Sequence, residues 1–263
     1  MVRESCYCHG GASGIGEATV REFAAEGVAV AIFDVNVAAG EQLAMELSTA
    51  GHRAAFYHTD VSNPEACAGA VNAVVAQWGR LDYLVNSAVS FIGAGIDATP
   101  ADWDRSLGVN VRGTAYMAQA CHKAMKASGG GAIVNIASIS AHIAQPNRWT
   151  YNATKGAVLN MTRCQALDLA PDHIRVNVVS PGWTWTPETS RAAEGDRAKW
   201  EPIWGRFCML RRMGEAKEIA RGILFLCSDD ASFITGAELP IDGGYMGLGS
   251  EGLGDNSSFA GSE

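Results

Sequence analysis

Apolar runs alternate with stretches of helical period along most of the chain. The runs at 28–33 and 131–137 are apolar or nearly so, as expected of strands buried on both faces, and 80–85 and 174–179 read as strands with a few polar positions. Shorter runs at 54–58 and 237–241 extend the series. Between them, 17–26, 37–50, 65–78, 99–126, 150–170 and 215–227 have helical character. Asn63-Pro64 and Thr99-Pro100 open two of these with a proline early, where a helix tolerates it. Such regular alternation predicts an α/β fold, a parallel sheet with helices on both faces. Two stretches depart from it. The first strand, Glu4-Ser-Cys-Tyr-Cys-His9, is polar for a central parallel strand, and 183–212 interrupts the alternation with four tryptophans set among charges.

In a sheet of this kind ligands bind beyond the carboxyl ends of the strands. The glycine loop at 10–16, Asp34, Asp60, Asn86, Ser138 and Pro181 all fall at such ends, which points to one shared site. Glycines at 10, 14 and 16 precede a helix. That arrangement lets backbone approach a pyrophosphate while the helix N-terminus supplies N–H donors. Asp34 closes the next strand and suits the ribose hydroxyls of an adenine dinucleotide. It would repel a 2′-phosphate, which favours NAD over NADP; its ordinary alternative is a cap for the helix beyond. Tyr151 and Lys155 stand four apart and share a helix face. A nearby cation favours the phenolate, so the pair is expected to give and take a proton near neutral pH, with Ser138 bonding the same reacting oxygen. Alone, Tyr-x-x-x-Lys more often marks a half-buried tyrosine and a solvated lysine; the surrounding pattern gives it weight.

The formal charge of −8 argues against a nucleic-acid partner, and no apolar run approaches a membrane span. The N-terminal residues lack the apolar core of a signal peptide, so a cytoplasmic protein is expected. Cys6, Cys8 and His9 match no standard zinc spacing, and no metal is expected. With 263 residues and no linker in the body, a single domain is expected over 1–263, with a lid at about 183–212 and a mobile tail from about 250.

These residues resemble the short-chain dehydrogenase/reductase family in its single-domain form, over roughly 5–245. The cofactor loop matches at Gly10, Gly14, Ile15 and Gly16, and the adenine-side pair at Asp60-Val61. The Asn-Asn-Ala-Gly motif appears as Asn86-Ser87-Ala88-Val89, and the Pro-Gly turn with its threonine as Pro181, Gly182 and Thr186. Asn110, Ser138, Tyr151 and Lys155 match the catalytic set. The resemblance implies a Rossmann fold, doubly wound, with strand order 3-2-1-4-5-6-7. It also implies hydride transfer between NAD(H) and a secondary alcohol or ketone, and a homotetramer (or homodimer). Tyr151 would be the acid–base, Lys155 would lower its pKa and hold the nicotinamide ribose, Ser138 would orient the substrate oxygen, and Asn110 would position a relay water. Ser13, Ala88 and Thr184 complete the expected cofactor contacts. His9 stands where the family has Thr, and Val89 where it has Gly; both changes are expected to weaken cofactor binding.

The pocket-lining residues implied before Tyr151 are Gln145-Pro-Asn-Arg-Trp149. Gln145 suits a hydroxylated substrate, and Arg148 suits a carboxylate, sulfonate or phosphate, although a surface salt bridge is an equal use for it. Trp149, Trp183 and Trp185 suit a sugar or cyclic diol. A sugar, polyol, cyclic diol or acidic derivative is therefore the expected small-molecule substrate. The alternative is a cofactor-binding or regulatory protein of the same fold with little turnover.

Overall fold

The computed structural model describes residues 5–253, with side chains from residue 10 onward except 250 and 251. Its main sheet contains β1 (Ser5–His9), β2 (Ala29–Asp34), β3 (Ala54–His58), β4 (Tyr83–Asn86), β5 (Gly131–Ile136), β6 (Ile174–Pro181) and β7 (Glu238–Ile241). All pairings are parallel and the order is β3-β2-β1-β4-β5-β6-β7, as expected. The helices are α1 (Gly14–Ala25), α2 (Val37–Thr49), α3 (Pro64–Trp78), α4 (Pro100–Leu107), α5 (Thr114–Ala127), α6 (Trp149–Leu169), α7 (Pro187–Ala192), α8 (Arg197–Gly205) and α9 (Ala216–Cys227).

The period of two along each strand explains why both faces are covered. On β2, Val30 and Ile32 pack with Val20 and Phe23 of α1, Leu43 of α2 and Ile223 of α9. The intervening Ala31 and Phe33 pack on the other face with Val71 of α3, Met117 and Met125 of α5 and Ala166 of α6. Each large side chain buried in this way contributes roughly 1.5–3 kcal/mol. The polar β1 still takes the central place, paired with β2 and β4. Ladder bonds are made by backbone and do not require apolar side chains. The side chains of Cys6, Cys8 and His9 lie outside the described residues, as do all of 254–263, the greater part of the expected mobile tail. Its first residues, Ser250–Leu253, form a 3₁₀ turn.

One expected element divides. The single helix anticipated over 99–126 is α4, a π-helical turn at Gly108–Gly113, and α5. Gly113 packs where a Cβ would lie 2.8 Å from Val61 Cγ2, so a larger residue would not fit. The extra residue in such a turn re-aims its side chains, and Asn110 lies within it.

Beneath the carboxyl ends of β4 and β5 lies a buried polar chain. Asn86 Nδ2 donates to Asn135 Oδ1 at 2.7 Å. Asn135 Nδ2 donates in turn to Thr162 Oγ1 and Gln165 Oε1 of α6, both at 2.9 Å. These bonds tie α6, which carries Tyr151 and Lys155, to the sheet. Replacing Asn135 with Ala strands partners on both sides and is expected to cost about 3 kcal/mol. Urea denaturation reads this directly; an unchanged midpoint would show that the chain holds nothing together.

Candidate active site

The glycine loop is fastened to the end of β2. Gly10 N–H donates to Phe33 O at 2.8 Å, and Ala12 N–H donates to Asp34 Oδ2 at 3.0 Å. Asp34 Oδ1 accepts from Asn36 N at 2.9 Å. The cap of α2 is Asn36, which accepts from Ala39 N at 3.1 Å, so Asp34 serves the loop. Gly10 has φ +67°, and a Cβ there would meet the Ala88 backbone at 2.6 Å. A Cβ at Gly16 would lie 1.9 Å from Gly10 O. Only glycine closes this turn and leaves the α1 N-terminus facing the cavity above it. Ser13, the N-cap, makes no side-chain cap bond.

A cavity of about 650 Å³ runs along the carboxyl ends of the strands. At one end are Asp34, Asp60 and Val61. In the middle lie Gly10, Ser13, Gly14, Ile15 and Ala88, with Pro181, Gly182, Thr184 and Thr186 across from them. Ser138, Tyr151 and Lys155 close the other end, with Gln145, Arg148 and Trp183. Val89 forms part of the wall and is 45% exposed, so the side chain standing in place of glycine does face the space.

Five expected residues lie off the wall. Gly16 and Asn86 support it from behind. Trp149 is 56% exposed on the outside. Trp185 stacks under Arg197, whose Cζ is 5.0 Å from the ring centroid. Asn110 acts from behind as a clamp: its Oδ1 accepts from Ser90 N at 2.7 Å, and its Nδ2 donates to Ser90 O and Thr154 Oγ1, both at 3.0 Å.

Other wall residues were not anticipated: Arg105, Val109 and Phe91 from the β4 side, Ser140, and Glu188, Arg191 and Trp204 from 183–212. Ser140 was open to inference from Ser-Ile-Ser at 138–140, and Trp204 from its shared face with Trp200, to which it stacks at 4.9 Å. Nothing local in the sequence marks Phe91 or Arg105.

Lys155 is 4% exposed, and its Nζ donates to Ile136 O at 2.7 Å. Loss of solvation brings its pKa from 10.5 to about 8. Nζ lies 5.6 Å from the Tyr151 ring centroid. The phenol behaves otherwise than the pairing suggested. Burial raises its pKa, against which a hydrogen bond from Ser138 and the charge of Arg148 pull it down. A dry site disfavours the charged form of each group. At the Asp34 end the Asp60 carboxyl is held below its usual range by Ser62, despite some desolvation, with Arg105 and His58 contributing.

A family model described as enoyl-(acyl carrier protein) reductase matches residues 10–246. Cyclopentanol dehydrogenase of Comamonas sp. (strain NCIMB 9872) is 38% identical over 90% of this chain and 94% of its own. Cis-4-hydroxycyclohexanecarboxylate dehydrogenase of Sinomonas cyclohexanicum is 39% identical over 91% and 95%. The crystal structure of an NAD⁺-bound xylitol dehydrogenase superposes with a TM-score of 0.85 at 35% identity, covering 92% of this chain and 98% of that one. The chain belongs to the short-chain dehydrogenase/reductase family. It is an oxidoreductase of the kind that acts on CH–OH groups.

The lysine carries a pH signature. Its folded pKa near 8 lies below the unfolded value of 10.5, so the unfolded chain binds the proton more tightly between them. The folded state bears the full cost of the buried ammonium below pH 8 and is relieved of it as pH rises towards 10.5. A Lys155→Met variant should therefore differ most in Tm from the parent protein below pH 8, with the difference drifting steadily across that window. A difference independent of pH would mean that the ammonium is not desolvated.

Proposed function

We propose that this protein oxidises a secondary alcohol, or reduces the matching ketone, with NAD(H), the substrate being a sugar, polyol, cyclic diol or acidic derivative. One observation carries the reading: Ser138, Tyr151 and Lys155 meet at one end of a cavity whose length runs past the glycine loop to Asp34. The loop fits a dinucleotide. Gly10 and Gly16 leave no room for side chains, and α1 begins at the space beside them, as suits a phosphate at a helix N-terminus. Asp34 at the far end favours the free ribose hydroxyls of NAD over the phosphate of NADP. When bound, the nicotinamide supplies the hydride acceptor or donor.

The chain's own residues then divide the work. Tyr151 takes the hydroxyl proton from the substrate during oxidation and returns it during reduction. Ser138 Oγ donates to the substrate oxygen and fixes its direction. Lys155 is positioned by Ile136 O to bond the nicotinamide ribose, and its nearby charge favours the phenolate as the proton moves. Asn110 is a positioning residue that holds the 87–91 loop against α6. The segment 183–212 acts as a lid within a single catalytic domain, which is supported by α7 and α8 bringing Glu188 and Trp204 to the cavity wall. Five described cysteines are free thiols, which supports a reducing, cytoplasmic setting. Phe233, at 102% exposure, and Leu167, at 76%, support assembly as a homotetramer or homodimer.

The purified protein should bind NADH at least about tenfold more tightly than NADPH, a difference of about 1.4 kcal/mol. Tyr151→Phe should keep that affinity and lose about 10²–10⁴-fold in kcat. Binding of NADH without turnover of any alcohol would favour the cofactor-binding alternative, and failure to bind either nucleotide would remove the reading.

A further inference from the structure

This inference rests on the dehydrogenase reading and narrows its substrate. The substrate end of the cavity contains an arginine with no anion. Arg148 lines the wall half-buried, its Cζ 4.7 Å over the Phe91 ring. Among the described residues it has no ion pair or side-chain hydrogen bond. Three arginines of the lid region are neutralised: Arg191 by Glu188 at 2.7 Å, Arg197 by Glu201 at 2.8 Å, and Arg212 by Glu218 at 2.7 Å. A charge left unpaired at the edge of a dry pocket is costly unless the ligand completes it.

The neighbouring groups have the same polarity. Gln145 Oε1 already accepts from Ser140 Oγ at 2.6 Å, so its amide offers the cavity hydrogen-bond donors. Asp34 and Asp60 stand at the cofactor end, and the lid's wall carboxylate, Glu188, is held by Arg191. A polyhydroxylated substrate brings a donor with every hydroxyl and needs acceptors to match. This end offers chiefly donors, which suits a ligand group that only accepts.

The remaining walls are flat and apolar. Phe91 lies 4.7 Å from the Tyr151 ring and so bridges the phenol and the guanidinium. Opposite, Trp183 and Trp204 stack at 5.0 Å with 17° between their planes. We propose that the substrate is an alicyclic alcohol bearing a carboxylate, with Arg148 the residue that selects it. The guanidinium takes the carboxylate, the aromatic faces take the ring, and the hydroxyl reaches Tyr151. In oxidation the C–H hydride passes to NAD⁺ and the O–H proton to Tyr151. The C–O single bond becomes C=O and the carboxylate is unchanged.

The test compares 4-hydroxycyclohexanecarboxylate with cyclohexanol, using NAD⁺ and the full-length parent, Arg148→Gln and Arg148→Lys proteins. The parent should favour the carboxylate by about 50-fold in kcat/KM, as expected for one desolvated charge pair. Arg148→Gln should lose most of that preference through KM, and Arg148→Lys should recover part of it. An equal loss for both substrates, or a parent protein that does not discriminate, overturns the proposal. Should no alcohol be oxidised, the dehydrogenase reading itself fails, and tryptophan fluorescence with cyclohexanecarboxylate decides the anion site separately. Saturable quenching that Arg148→Gln abolishes upholds the site, and its absence in the parent protein rejects it.

Discussion

The Lys155 ammonium, buried and donating to the Ile136 carbonyl at the end of β5, joins the helix that carries Tyr151 to the sheet that places it. The bond fixes α6 in height and rotation. One turn earlier on the same face, Tyr151 is thereby set beside Ser138, which sits at the start of the 3₁₀ turn following β5. The same burial that makes the bond strong removes water from both ionisable groups. Burial thus disfavours the charged form of each group, while the lysine, with its pKa still about 8, keeps its proton at neutral pH.

Asparagine side chains do much of the remaining alignment. Asn135 and Asn86 link adjacent strands to α6 below the cavity. Asn110 links the loop after β4 to the same helix above it. Each amide has donors and an acceptor at fixed angles, so it can join three backbone or side-chain groups that no apolar residue could hold in register. The π turn at Gly108–Gly113 belongs to this scheme, because it turns Asn110 inward from a helix that would otherwise run past the site.

The two ends of the cavity differ in kind. The glycine loop end is backbone, clamped by Asp34, and its shape follows from the absence of side chains. The Tyr151 end is built from aromatic faces and the Arg148 guanidinium, drawn from separate segments: the loop after β4, the residues before α6, and 183–212. The glycine loop and Ser138 thus sit at rigid strand ends, while the aromatic faces and Arg148 come from the loops above them.

Much of this was legible in the residues alone. The period-two and helical runs specified the parallel sheet and its helices, because burial on both faces demands that pattern wherever the chain goes. The glycine loop, Asp34, Ser138, Tyr151 and Lys155 were legible because each is bound to a strand end or a helix face by short-range geometry. What only the tertiary structure decided depends on groups distant in the chain. The helix expected over 99–126 breaks at a π turn whose glycine packs against Val61. Trp149 and Trp185 face away from the cavity, while Phe91, Ser140 and Trp204 face it. Lys155 was read as lowering the Tyr151 pKa, yet burial raises it, since the cost of desolvation depends on everything that surrounds a group and not on its neighbour four residues away.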